Sequence, residues 1–219
     1  MIKAAIFDMD GTIYDTERIS MEGWYYACKP YGIEITFEQI CAMHGHNAHD
    51  NGVRFCSWFG EDAPYWDIRN LRYEYMNHYF SEHPVPIKPG LFELLDELKK
   101  KNIKIAIATG TARDVAQGYW ESTGVLPYLS ASVCGDDVSK SKPDPEIFLK
   151  AAAAVGAPPE ECMIFEDSHD GILGARASGS TVFLIPDQEP VTDDVREAAD
   201  YILTSLLDAV PIVRAFPAV

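Results

Sequence analysis

Four acidic side chains follow two apolar segments of the sequence. Asp8 and Asp10 come after the first apolar run, and Glu166 and Asp167 close or follow a later one. Residues two apart in an extended segment point to the same side, so Asp8 and Asp10 can face one crevice. Two close carboxylates repel each other unless a hard cation or a shared proton offsets their charge. The pattern predicts a Mg²⁺ site, with an ordinary acidic turn and an acidic helix N-terminus as the alternatives.

Two further segments carry groups suited to binding a phosphoryl group. Lys142 precedes Pro143, which favours an extended backbone, and its ammonium would offset the charge of a nearby carboxylate cluster. Lys140 competes for that role. Thr109 and Gly110 follow another apolar run and offer a hydroxyl and a backbone N–H to phosphate oxygens. A solvated lysine and a simple strand-to-helix turn are the plainer alternatives.

Short apolar runs alternate with helical patterns along most of the chain. This alternation predicts an α/β fold class, with a Rossmann-like, doubly wound and mostly parallel sheet. The predicted strands cover residues 4–7, 103–108, 131–134, 162–165 and 181–185. In open α/β sheets, ligands bind at the carboxyl ends of the strands, which is where the polar residues above follow their apolar runs.

Capping signals predict where three of the intervening helices begin. Thr111 to Asp114 reads as a capping box that opens the helix after the second strand. Asp144 precedes proline and predicts an N-cap. Ser168 predicts the N-cap of a helix that ends near Gly179.

Residues 16–85 interrupt the alternation of strands and helices. This segment holds 14 of the 25 aromatic residues and five of the six histidines, and it reads as several helices. We interpret it as an inserted α-helical cap domain, called the insertion below. The Rossmann-like core would then comprise residues 1–15 and 86–219. Two connecting segments would allow the insertion to hinge on the core.

Three phrases of the sequence carry a family resemblance. FDMDGT, SKPDPEIF and FEDSHDGI occur in this order, with the strand ending at Thr109 before the second phrase. Together they resemble the haloacid dehalogenase superfamily, and specifically its phosphatases and phosphomutases with a helical cap inserted after the first strand. The resemblance covers nearly the whole chain.

The resemblance implies a role for each polar residue. Asp8 would attack phosphorus and form an aspartyl-phosphate, and Asp10 would act as general acid and base. Mg²⁺ would be bound by Asp8, by the backbone carbonyl of Asp10 and by Asp167, with Glu166 as a further ligand or as support for one. The phosphoryl group would be bound by Thr109, Gly110 and Lys142. Phosphoryl transfer needs positioning and charge neutralisation above all, which agrees with this set.

The insertion departs from the mutase pattern at two positions. Ser20 stands where mutase caps carry a histidine, and Ala48 stands where they carry an arginine for the distal phosphate. Arg54, Arg69 or Arg72 could replace that arginine. Both departures favour hydrolysis of a small phosphorylated metabolite, such as a sugar phosphate. A beta-phosphoglucomutase-type hexose phosphate mutase is the alternative.

Two other classes of protein are less favoured. The segment 44–50 resembles part of a His-x-His-x-Asp-His zinc motif, but Ala48 occupies the aspartate position. A binding protein without activity on the same fold would not need the intact set of carboxylates and lysine.

Charge and cysteine content narrow the possible partners. The 219 residues include 18 basic and 34 acidic ones, a net charge of −16, which argues against nucleic acid and anionic membranes. No apolar run approaches the roughly 20 residues of a membrane span. Five widely spaced cysteines and a first segment unlike a signal peptide predict free thiols and a cytoplasmic location. Monomer and homodimer both stay open.

Overall fold

A parallel sheet of six strands forms the core of the computed structural model, which describes residues 1–217. The last two residues of the predicted core segment, 218 and 219, lie outside the described part. The strands are β1 Ala4–Phe7, β2 Lys104–Ala108, β3 Ala131–Val133, β4 Cys162–Glu166, β5 Thr181–Leu184 and β6 Tyr201–Ile202. Their order is β3-β2-β1-β4-β5-β6. This arrangement confirms the predicted fold class, and β6 is a short sixth strand that the apolar runs did not predict.

The register of the strands brings their carboxyl ends to one edge of the sheet. Phe7 at the end of β1 pairs with Ile107 of β2 and with Phe165 of β4. The strands are apolar on both faces because helices cover both faces. On one face the rings of Phe7, Phe165 and Phe183 stack with centroids 4.6 and 4.7 Å apart. The residues that follow β1, β2 and β4 therefore meet at the same edge.

Helices occupy the segments between the strands. Four lie in the insertion: α1 Glu17–Cys28, α2 Phe37–Cys41, α3 Ala48–Phe59 and α4 Tyr65–Glu82. The others are α5 Leu91–Lys100, α6 Arg113–Thr123, α7 Glu146–Val155, α8 His169–Ser178, α9 Asp193–Ala198 and α10 Leu206–Ala215. Within the described residues, no helix combines the length and the apolar character needed to cross a bilayer.

The helices of the insertion pack around their own apolar cluster. The ring of Phe55, which is fully buried, lies 6.1 Å from the ring of Trp24 and 5.6 Å from that of Tyr65. The two connections to the sheet lie side by side, because the Asp15 N–H donates to the Pro86 carbonyl at 2.9 Å. These features agree with the predicted cap, whose division from the core stays a prediction.

The helix predicted after the second strand is present, but its predicted capping box is wrong. No side chain caps α6, which begins at Arg113 after Ala112, so the capping box from Thr111 to Asp114 does not form. The Thr111 hydroxyl instead donates to Asp10 Oδ2 at 2.7 Å. At the sheet edge the Thr111 hydroxyl therefore binds the Asp10 carboxylate and not, as the sequence pattern predicts, the first turn of the helix.

The other two helix starts are close to their predictions. Ser168 caps α8 as predicted, accepting a hydrogen bond from the Gly171 N–H at 3.2 Å, and the helix ends before Gly179. Asp144 accepts the N–H of Glu146 at 3.0 Å, but the cap position itself is held by Pro145. The five cysteines are free thiols, as predicted.

Candidate active site

Lys142 lies between two carboxylates under the end of β1. Its ammonium contacts Asp8 Oδ1 and Glu166 Oε1, and the side chains of Lys142 and Glu166 are fully buried. Its Nζ also lies 5.1 Å from the centroid of the Phe148 ring. The competing Lys140 is exposed and pairs with Asp144 at 3.1 Å. Lys142 is therefore the lysine that the fold directs to the carboxylates.

Burial and charge shift the pKa of both partners in this pair. Burial alone would lower the pKa of Lys142, but the field of Asp8 and Glu166 outweighs it and raises that pKa above its usual value. Burial raises the pKa of Asp8 well above its usual value, against the opposing effect of Lys142 and with a further contribution from Glu166. The raised pKa keeps the lysine charged, and two buried carboxylates face this single ammonium.

Glu166 uses both carboxylate oxygens within the protein. Oε1 contacts Lys142, and Oε2 accepts the N–H groups of Asp167 at 2.8 Å and Ser168 at 2.9 Å. The Ser168 hydroxyl is 3.0 Å from the same oxygen. A Cβ on Gly171 would lie 2.1 Å from this carboxylate, so only glycine fits there. Glu166 thus holds Lys142 and the turn after β4 in place.

Asp167 occupies a crowded position beside the turn after β1. It is buried and accepts the Thr12 hydroxyl at 2.6 Å through Oδ1. Gly11 has a φ of +89°, and a Cβ there would lie 2.1 Å from Asp167 Oδ2, so both conformation and space require glycine. Burial is the largest cause that raises the pKa of Asp167, followed by the charges of Glu166 and Asp8.

The donor set fits a divalent cation in charge and chemistry. Asp8, Glu166 and Asp167 are three buried carboxylates, and the ammonium of Lys142 contacts the first two of them. Hard carboxylate oxygens suit Mg²⁺. Within residues 1–217, however, only Cys134, Asp136 and Asp137 bring three candidate ligand atoms within 4.8 Å of one another. The predicted metal set stays a prediction.

Two hydroxyl groups that the sequence pattern does not assign to the site hold Asp10. Thr16 donates to Oδ1 at 2.6 Å and Thr111 donates to Oδ2 at 2.7 Å. Thr16 directly precedes α1, so the orientation of Asp10 depends on where the insertion begins. The sequence around Thr111 matches a helix-capping pattern, so its role was not predicted. The fold brings Thr111 next to Asp10, and this contact shows that it orients the Asp10 carboxylate.

Thr109 and Gly110 lie at the end of β2 and line the same cavity as Asp8 and Asp10. Thr109 is buried, and its hydroxyl accepts the N–H of Thr111 at 3.1 Å. The structure brings these four predicted residues to one cavity. The other three, Lys142, Glu166 and Asp167, lie outside its lining and contact Asp8 or the turns beside it.

The insertion forms the roof of this cavity. The lining residues come from α1, from the segment 42–47, which we call the insertion loop, from the start of α3 and from α4. The roof residues that matter below are Glu17, Ser20, Trp24, His44, Arg69, Arg72 and Tyr73. Arg54 is absent from the lining.

The insertion loop contacts the core directly beside the site. The backbone N–H of Asn47 donates to the Ser141 hydroxyl at 2.9 Å, one residue before Lys142. His46 Nε2 lies 3.0 Å from Asp170 Oδ2, and this contact is the largest cause that lowers the pKa of Asp170 to about 2. These bonds hold the insertion closed over the sheet edge.

The histidines of the zinc-like segment make contacts of another kind. His44 lies between Glu17 at 3.1 Å and Glu189 at 3.2 Å, while the side chain of His49 is 81% exposed. In the part of the chain that the structure describes, no histidine belongs to a candidate metal cluster.

Gly110→Ala is expected to lower kcat/KM by about a hundredfold, because small displacements at a reacting centre have effects of this size. The new Cβ would lie 2.7 Å from the Gly45 carbonyl oxygen and 2.9 Å from that of His46, so the insertion loop must shift. The matched control is Gly118→Ala in α6, where no atom lies within 4 Å of the new Cβ. Steady-state kinetics of both variants make the measurement, and equal activities would contradict a closed insertion loop.

His44→Gln is expected to destabilise the protein more at acidic than at alkaline pH. Burial would lower the pKa of His44, but Glu17 and Glu189 outweigh it and raise that pKa. Protonated His44 therefore stabilises the fold fully below its unfolded pKa of about 6.5, and this contribution is lost as pH rises through the higher folded pKa. Urea unfolding at about pH 6 and about pH 9 measures the difference. The same loss at both pH values would refute this sign, and exposed His78→Gln is the control.

Comparison with known proteins places the chain in a family. Residues 2–179 match the haloacid dehalogenase-like hydrolases, so the chain belongs to this hydrolase family. It is 29% identical to the protein CbbY of Rhodobacter capsulatus, over 94% of each chain. It is 30% identical to the phosphorylated carbohydrates phosphatase of Thermotoga maritima, over 81% of this chain and 82% of that one.

Solved structures agree with this assignment. A hydrolase from Pseudomonas syringae superposes with a TM-score of 0.85 at 25% identity, covering 98% of this chain and 99% of that one. Beta-phosphoglucomutase from Clostridium difficile superposes with a TM-score of 0.82 at 22% identity, covering 95% and 93%. At 22% identity, the similarity to beta-phosphoglucomutase shows a shared fold.

Proposed function

We propose that this chain is a Mg²⁺-dependent phosphatase that hydrolyses a small phosphorylated metabolite, such as a sugar phosphate, through an aspartyl-phosphate. The observation that carries the proposal is the position of Asp8, which contacts a buried lysine and lines one cavity with Asp10, Thr109 and Gly110. Similarity to the phosphorylated carbohydrates phosphatase of Thermotoga maritima supports the substrate class.

The first half of the reaction uses Asp8 and Asp10 on opposite sides of phosphorus. An oxygen of Asp8 forms a bond to phosphorus while the bond from phosphorus to the ester oxygen breaks. Asp10 gives a proton to that ester oxygen, which leaves as an alcohol. Thr109 and the Gly110 N–H bind the phosphoryl oxygens, and Lys142 offsets charge on Asp8.

The second half regenerates the enzyme. Asp10, now a carboxylate, takes a proton from water, and the water oxygen bonds to phosphorus as the bond to Asp8 breaks. Inorganic phosphate leaves and Asp8 is free again. The hydroxyls of Thr16 and Thr111 keep the Asp10 carboxylate turned toward this position in both halves.

Asp8, the backbone carbonyl of Asp10 and Asp167 would hold Mg²⁺. When bound, the ion supplies positive charge that reduces repulsion between a carboxylate nucleophile and the phosphoryl oxygens. Glu166 is the weaker candidate because both of its oxygens are already bonded to protein groups. We assign Glu166 to the positioning of Lys142.

Hydrolysis is favoured over a mutase reaction by the groups above Asp10. The Ser20 hydroxyl accepts a hydrogen bond from Arg72 at 2.7 Å, and no imidazole stands at this position.

The free thiols further support a cytoplasmic location. Whether the protein is a monomer or a homodimer stays a prediction.

The test is phosphate release from a panel of phosphorylated metabolites, with Mg²⁺ and with a chelator. Glucose 6-phosphate formed from glucose 1-phosphate is followed in parallel, with and without glucose 1,6-bisphosphate. Release from a narrow subset, lost with chelator and restored by Mg²⁺ but not Zn²⁺, is the expected result. Isomerisation without release would establish the mutase instead, and activity restored by Zn²⁺ alone would refute the Mg²⁺ assignment.

A further inference from the structure

Helix α6 turns one of its faces to the cavity that Asp8 and Asp10 line. Val115 and Tyr119 are four residues apart on this helix, and both belong to the lining. Tyr119 is 8% exposed, and its hydroxyl is buried without a hydrogen-bond partner among the residues that the structure describes. The proposed reaction does not use this hydroxyl. An unpaired polar group at a binding cavity is a candidate contact for the ligand.

The ring of Tyr119 is fixed by two aromatic neighbours. It meets the ring of Tyr14 edge-on, with 6.0 Å between the centroids, and the ring of Phe80 of α4 in the same manner at 5.5 Å. The Tyr14 hydroxyl is itself paired with that of Thr123 at 2.7 Å. Aromatic packing therefore holds the Tyr119 ring in place while its hydroxyl stays unpaired.

The Tyr119 hydroxyl is protonated and lies within the influence of Asp10. Burial is the largest cause that raises the pKa of Tyr119 above its usual value, and the charge of Asp10 is the next. The phenol therefore offers one donor and an acceptor at neutral pH. Because Asp10 gives its proton to the ester oxygen in the proposed reaction, the group that Tyr119 meets belongs to the leaving alcohol close to that oxygen.

The charged group that the roof places nearest to these residues has other partners. Arg72 donates from Nη1 to the Ser20 hydroxyl at 2.7 Å. Its guanidinium lies 5.0 Å from the centroid of the Trp24 ring and 4.4 Å from that of the Tyr73 ring. The roof thus engages this arginine without pairing the Tyr119 hydroxyl, which leaves that hydroxyl to a ligand.

A neutral hydroxyl is the ligand group that fits this position. The charge of Asp10 has a larger effect on Tyr119 than that of Arg72, and Glu17 acts in the same direction as Asp10. A further anion beside the phenol would therefore be repelled. An alcohol can donate to the phenol and accept from it without adding charge, and the pairing recovers the free energy that an unbonded buried group costs.

We propose that Tyr119 is a specificity residue whose hydroxyl binds a hydroxyl of the substrate, on the carbon next to the one that carries the phosphate. The preferred substrates are then phosphate esters of vicinal diols, such as glycerol 1-phosphate and sugar 1-phosphates. This inference deepens the proposed function and rests on it for the position of the ester oxygen beside Asp10. Tyr119 takes no part in bond making.

Pairs of esters that differ by one hydroxyl test this inference. Glycerol 1-phosphate is compared with 3-hydroxypropyl phosphate, and glucose 1-phosphate with 2-deoxyglucose 1-phosphate. We expect Tyr119→Phe to lower kcat/KM roughly five- to fiftyfold for the esters that carry the vicinal hydroxyl, as loss of a hydrogen bond to a buried group does. The two esters without that hydroxyl should react equally well with the variant and the unmutated protein. 2-Hydroxypropyl phosphate, which lacks only the distal hydroxyl, should show the full loss.

Two controls separate specificity from a structural role. Tyr119→Phe should unfold in urea at the same or a higher concentration than the unmutated protein, because the hydroxyl has no partner within the fold. Tyr128→Phe removes a tyrosine hydroxyl outside the cavity, one that donates to Asp96 at 2.8 Å, and should retain the full preference for vicinal hydroxyls. An equal loss for both members of each pair would show a structural role for Tyr119 and overturn the inference.

Binding to the Asp8→Asn protein keeps this inference distinct from the proposed function. Calorimetry with Mg²⁺ compares the same pairs of esters, with and without Tyr119→Phe added. A preference for the vicinal hydroxyl that depends on Tyr119, with no phosphate released by the unmutated protein, would support Tyr119 and refute the phosphatase. Phosphate release without such a preference, or a preference that survives Tyr119→Phe, would overturn the assignment of Tyr119 and leave the phosphatase standing.

Discussion

Replacing Asp8 by asparagine should lower phosphate release by about a thousandfold or more, because the amide keeps the shape of the side chain but cannot attack phosphorus. Asp8 is 4% exposed, contacts Lys142 and lines the cavity that also contains Thr109 and Gly110. Phosphate release by Asp8→Asn and by the unmutated protein, measured on the best ester of the panel, gives the comparison.

The matched control for this experiment is Asp62→Asn. Asp62 is an exposed residue of the insertion between α3 and α4, so its loss should leave activity unchanged. A fully active Asp8→Asn protein would show that another group attacks phosphorus and would remove the basis of the proposed function.

Replacing Lys142 by methionine is expected to affect both activity and stability. Methionine keeps an unbranched apolar side chain at this position but removes the ammonium from Asp8 and Glu166. Loss of one partner from a buried ion pair costs about 3–5 kcal/mol, because the remaining charges stay buried without compensation. We also expect turnover to fall by a hundredfold or more, on the order of the effect of removing one charge-stabilising group.

Urea unfolding and phosphate release measure the two effects of Lys142→Met separately. Lys140→Met is the control, since Lys140 is 69% exposed and its pair with Asp144 lies at the surface. Stability and turnover equal to those of the unmutated protein would contradict the account of Lys142. A loss of turnover alone would indicate that the buried carboxylates become protonated without cost to the fold.

Local sequence patterns were sufficient to predict the sheet edge. The runs 4–7 and 162–165 are apolar on both faces, as strands covered by helices on both sides must be, and the observed strands agree with them to within one residue. The strand β6 was not predicted because it is only two residues long, too short to show an apolar pattern. Spacing alone did not distinguish Lys142 from Lys140, since both lie in one polar segment; the family resemblance pointed to Lys142, which is the lysine that contacts Asp8 and Glu166.

The spacing of residues in the sequence could not predict which hydroxyl groups bind Asp10 or which arginines line the roof. Thr111 lies 101 residues from Asp10 in the chain, and its local pattern is that of a helix cap. The sequence offered Arg54, Arg69 and Arg72 as equal candidates for the roof. How the insertion sits on the core decides among them, and that depends on contacts such as the one between Asn47 and Ser141.

The most direct measurement of the central claim is the stereochemical course at phosphorus. A chiral, isotopically labelled phosphate ester of the best substrate would be hydrolysed and the configuration of the released phosphate determined. Attack by Asp8 followed by attack of water inverts phosphorus twice, so the account predicts overall retention. Inversion would mean that water attacks the ester directly, which would contradict an aspartyl-phosphate on Asp8.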